Sequence, residues 1–171
     1  LPFTRRDFLR ISFGAGLLAA SGYLFRSVFR PSQLTGQEIK TIEALLAALI
    51  PDDETPGALK LGVAEKITSK AATEPQYRRF LRKGSAWLDK AAGKLTSARF
   101  MDLQEDGRDL IIATALAKDA DSFPAVFVRI MMSDAFTYYY ANPLSWPQLG
   151  YAGPPQPNGF PDYFDIPHPH V

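Results

Sequence analysis

Cysteine is absent from the 171 residues. That removes disulfides, iron–sulfur ligation, thiolate zinc sites, c-type haem attachment through this chain and any cysteine nucleophile. Histidine is nearly absent: His168 and His170 are the whole supply, and they stand in the last four residues. With no helper ligand beside them they support no specific metal claim, and they leave the body of the fold without a histidine base. The formal net charge is only +1, which gives no reason to expect nucleic acid, because phosphate binding needs a concentrated basic surface. No period-2 stretch of useful length predicts a strand. There is no G-x-G-x-x-G loop, no Walker sequence and no Ser–His–Asp set compatible with the histidine positions. No residue is therefore put forward as catalytic, cofactor-binding or metal-ligating. What remains is a chain the size of one domain, with an ordinary 46% apolar fraction and enough length to bury a core.

The first thirty residues have a character of their own. Thr4-Arg5-Arg6-Asp7-Phe8-Leu9-Arg10 precedes an uncharged run from Ile11 to Phe25, closed by Arg26 and Arg30. A basic head before a glycine- and alanine-rich apolar run is the layout of an export signal. It resembles the twin-arginine (Tat) signal, Ser/Thr-Arg-Arg-x-Phe-Leu-Lys, with Arg10 in place of the usual lysine. Proteins of that class cross the membrane folded, carrying a cofactor or riding with a partner that does. Small residues suited to cleavage are poorly placed, Ala20-Ser21-Gly22 being a weak candidate, so a retained segment is expected. The apolar run covers only ~22 Å as a helix against a hydrocarbon core of ~30 Å. Snorkelling by Arg10 and Arg26 would let it serve as a membrane anchor. Gly14, Gly16, Ala19, Ala20 and Gly22 would equally suit close packing against a partner helix.

Residues 31–141 read as a helical domain. Thr35 with Glu38 forms a capping-box signature before Ile39, Ile42, Leu45, Leu46, Leu49 and Ile50, predicting a helix over 36–50 that Pro51 ends. Asp52-Asp53-Glu54 lies in the next turn. The spacing is not that of an EF-hand, and adjacency does not set two carboxylates across a cleft. Capping and loop ordering is the first reading, with Asp53 or Thr55 capping a helix over about 57–72. A third helix begins near Pro75 and stops at Gly93. A looser one spans about 103–118, with Leu103, Leu110, Ile111 and Leu116 inward. The most apolar helix runs from Asp121 to about Tyr140, with Phe123, Phe127, Ile130 and Met131 on one face. Apolar on most sides, it should lie centrally or against another subunit. Met131 and Met132 are adjacent and point differently, which favours core packing over haem ligation.

Residues 142–171 hold eight of the fourteen prolines, interleaved with Trp146, Tyr151, Phe160, Tyr163 and Phe164. Repeated proline predicts an extended tail, and the aromatics need a surface to cover, on this domain or on a partner. Three stretches together carry a family likeness: Ile50-Pro51-Asp52-Asp53-Glu54-Thr55-Pro56-Gly57-Ala58 with Gly62-Val63; Tyr140-Ala141-Asn142-Pro143; and Trp146-Pro147-Gln148-Leu149-Gly150-Tyr151. The tail Gly159-Phe160-Pro161-Asp162-Tyr163 adds to it. With the Tat-like head, the chain resembles the gluconate 2-dehydrogenase subunit 3 family, the small (gamma) subunits of membrane-bound flavoprotein dehydrogenases. The usual Tyr-Gly-Gly-Asn between the last two stretches is replaced here by Leu144-Ser145.

The resemblance implies an all-α small bundle and a non-catalytic accessory subunit. Its implied partners are a large FAD-dependent GMC-type dehydrogenase and a multihaem c-type cytochrome carrying haem c, with the Tat translocase as exporter. The implied location is the periplasm, at the cytoplasmic membrane. An alternative is a membrane-anchored structural subunit of another electron-transfer complex, docking through Tyr138–Tyr140 and the tail.

Overall fold

A computed structural model describes residues 33–153. The expected twin-arginine segment, the tail beyond Gly153, His168 and His170 lie outside them. Five helices make up the described body: α1 (Gly36–Leu49), α2 (Val63–Thr73), α3 (Pro75–Thr96), α4 (Glu105–Leu116) and α5 (Phe123–Tyr140). Short 3-10 turns lie at Phe100–Asp102, Pro143–Ser145 and Pro147–Leu149, and there is no strand among the described residues. The all-α bundle expected from the periodicity is the fold.

α1 starts as its sequence predicts. The Thr35 hydroxyl accepts from Glu38 N–H, and the Glu38 carboxylate accepts from Thr35 N–H at 2.7 Å, closing the capping box. This satisfies two donors that the first helical turn would otherwise leave unpaired. Its inward face, Ile42, Leu45 and Leu46, is fully buried. α1, α3 and α5 each pack against every other helix, so the core lies between these three.

α2 departs from expectation. Residues 58–62 make turns, and the helix starts only at Val63, after Gly62 in the left-handed region at φ 73°. Ala58 and Leu61 are buried as the pattern required, yet Gly62 breaks the helix between them and Val63. Neither Asp53 nor Thr55 caps α2, because both lie in the preceding loop. α3 also differs, running past Gly93 to Thr96 and ending at Ser97 with φ 60°, whose N–H donates to Gly93 C=O.

α3 and α5 approach each other closely at one glycine. A Cβ on Gly84 would stand 1.9 Å from Phe127 Cε2, so the ring lies against bare backbone. Around it Phe80, Phe123 and Phe127 form an aromatic group with centroids 5.3–5.9 Å apart. Beside that group Tyr77 O–H donates to Asp134 at 2.5 Å, and Lys70 pairs with the same carboxylate while lying over the Tyr77 ring. Burial first, then the Asp134 hydrogen bond, raises the Tyr77 phenol far above its ordinary value, so it stays neutral and donating.

Two residues expected inside are found outside. Leu110 is 53% exposed, and α4 instead turns Ile111, Ile112 and Ala115 inward. Ile130 is exposed on α5, where Phe127, Val128, Met131 and Ala135 carry the buried face.

Candidate partner interface

The acidic loop and the end of α5 come together through side-chain donors on backbone carbonyls. Asp52 accepts from Gly57 N–H at 3.2 Å and pairs with Lys60 at 2.5 Å. The Lys60 ammonium, then the Gly57 N–H, holds the Asp52 carboxyl below its ordinary value. Asp53 accepts from both Thr55 N–H and the Thr55 hydroxyl, and these bonds lower its pKa too. A general acid needs the opposite shift, towards neutral pH. These carboxylates order their own loop. Gly57 is required by the same turn, since a Cβ there would lie 2.7 Å from the backbone of Pro51 and Asp52.

From the other side, Tyr139 O–H donates to Pro56 C=O at 3.0 Å, and the Asn142 amide donates to Leu61 C=O at 3.0 Å. Asn142 Oδ1 also accepts from Leu144 N–H, starting the first 3-10 turn. Trp146 Nε1–H then reaches back to Tyr140 C=O at 2.9 Å, and its ring meets Tyr151 edge-on at 5.2 Å. The first residues of the expected extended tail are thus two tight turns tied to the helical body. Proline permits them because 3-10 turns tolerate a missing N–H at their start.

Fixing the backbone this way leaves apolar side chains outside. Phe136 and Tyr140 stack on the outer side of α5 with centroids 6.2 Å apart, and Leu144, Leu149 and Tyr151 follow along the turns. Leu144 is 68% exposed and Leu149 56%. Exposed large apolar residues on a hydrogen-bonded backbone make this stretch a candidate contact surface. Of the three tyrosines considered for docking, Tyr139 is buried and Tyr138 half-buried, which leaves Tyr140. Leu144, read from sequence only as filling a shortened gap, is the most exposed of the group.

A family model for gluconate 2-dehydrogenase subunit 3 matches residues 36–153. The chain belongs to that family. The match starts at the first residue of α1 and ends at Gly153, taking in all five helices and the Trp146 turns. Comparison with curated proteins and with solved structures found no match. As a subunit 3 protein the chain is a non-catalytic small subunit of a dehydrogenase-type complex. Among the described residues no group of three or more His, Asp or Glu side chains could hold a metal ion. Among the described residues no helix is long and apolar enough to cross a membrane.

Proposed function

We propose that this chain binds and stabilises the large subunit of an FAD-dependent GMC-type dehydrogenase and takes it, folded, through the Tat translocase. The complex then works in the periplasm at the cytoplasmic membrane, and a multihaem c-type cytochrome carries its electrons away. The observation that carries the reading is the apolar ridge from Phe136 to Tyr151. It lies inside the family-matched region, on a backbone held by the Tyr139, Asn142 and Trp146 bonds. Those bonds keep the side chains presented for contact, which lowers the ordering cost of docking.

The twin-arginine head supports the carrier role. The described residues hold no metal-ligand cluster that would call for folded export, whereas a flavoprotein partner has that reason. Arg5→Lys with Arg6→Lys tests this. Cell fractionation should find both this subunit and the flavoprotein retained in the cytoplasm. A flavoprotein still reaching the periplasm would refute the carrier role.

A further inference from the structure

A groove of about 470 Å³ runs between α3 and α4, on residues that the α5 ridge does not use. Trp87, Ala91 and Leu95 line one side at i, i+4 and i+8, and Leu110 and Thr114 line the other at i and i+4. Leu95 and Leu110 are 45% and 53% exposed, so the apolar lining opens to the surface. Lys90 and Lys94 border the α3 side, and Lys118 follows Leu110 and Thr114 on the α4 side. None of these lysines takes part in an ion pair among the described residues.

We propose that this groove receives the apolar face of an acidic amphipathic helix from a partner protein. Trp87 to Leu95 spans ~12 Å, about two helical turns, the reach over which a docked helix presents residues at i, i+3, i+4 and i+7. Lys90 and Lys94 are one turn apart, and Lys118 lies across the groove. Cations on both borders complement carboxylates flanking an apolar stripe. A lipid headgroup offers its charge at one end of the molecule and matches this spread less well. The chain's own first thirty residues carry five arginines against one aspartate, a charge that does not complement the lysine borders. Residues 154–171 hold six prolines and do not supply the sequence pattern of an amphipathic helix. The inference rests on the groove itself and stands whichever protein the α5 ridge binds.

The test uses the full chain and a labelled acidic peptide of about 18 residues, five helical turns with leucines on one face and glutamates flanking them. Fluorescence anisotropy should show binding that weakens with salt. Lys90→Glu with Lys94→Glu, and separately Leu110→Glu, should each weaken it by about tenfold or more. Their melting curves should match the parent's, since all three side chains are exposed. A twin peptide with lysine for glutamate should not bind. Failure of the acidic peptide to bind, equal binding of the basic twin, or indifference to the groove variants would overturn the proposal. So would phosphatidylglycerol vesicles whose binding alone the variants abolish, or a dimer in light scattering that they dissolve.

Discussion

Tyr138, Tyr139 and Tyr140 look alike on the page and do three different things. Tyr139 is 3% exposed, and its hydroxyl is committed to the Pro56 carbonyl, 83 positions away in sequence. Its neighbour Tyr140 is half in water. Tyr139→Phe keeps the ring and deletes only the hydroxyl, leaving the carbonyl without that donor. The expected loss is about 1–2 kcal/mol, because unmaking one partner of a buried hydrogen bond costs the desolvation of the other. Pro56 is only half-buried, so water can reach it, which places the effect at the lower end. Tyr140→Phe should change stability by less than about 0.5 kcal/mol, as surface substitutions usually do. Urea denaturation midpoints for the two variants check both, with an unchanged slope as the sign that the fold is intact. Equal midpoints would mean that the Tyr139–Pro56 bond does not hold the loop.

At the level of helices, two glycines in α3 should answer the same substitution with opposite signs. In a helix interior Ala is favoured over Gly by about 1 kcal/mol. At Gly93 nothing lies within 4 Å of the new Cβ, so Gly93→Ala should stabilise by up to about that amount. At Gly84 the Cβ would meet the Phe127 ring at 1.9–2.4 Å, and that ring is fully buried. Contacts this short put overpacking at about 2–3 kcal/mol, and less about 1 kcal/mol of propensity Gly84→Ala should destabilise by about 1–2 kcal/mol. Gly84→Ala with Phe127→Leu should recover part of the loss. Thermal melting of the three variants decides the matter, and a stabilised Gly84→Ala would show that α3 and α5 do not pack as described. Local chemistry made some of this legible beforehand. The capping box of α1 and the inward stripe of α1 were readable because each is written within a few residues. The start of α2 was not, since left-handed backbone at Gly62 leaves no trace in apolar spacing. Nor was the outward turn of Leu110, which depends on α4 presenting Ile111 and Ile112 to the core instead.

At the scale of the described body, the core and the ridge proposed for partner contact are built from different residues. The core lies among α1, α3 and α5, while the ridge of Phe136, Tyr140, Leu144, Leu149 and Tyr151 adds exposed apolar surface that the fold itself does not use. Sequence reading located this region through its family likeness and its aromatics, but not which side chains face outward. That depends on Asn142 and Trp146 bending the chain back onto the body. Tyr140→Arg with Leu144→Arg should separate the two properties. A cation near the C-terminus of α5 is compatible with the helix dipole, and the Trp146 bond goes to the Tyr140 backbone carbonyl, which survives the change. Loss of the Phe136–Tyr140 stack should cost no more than about 1 kcal/mol at this exposed position. Two desolvated cations facing an apolar partner surface are far more costly than that. The variant should therefore melt close to the parent while the dehydrogenase subunit no longer copurifies. Phe127→Ala, which empties a core site at about 3–5 kcal/mol, should lower the melting temperature, and copurification should suffer only through unfolding. A double-arginine variant that melts normally and still brings down its partner would move the interface off this ridge.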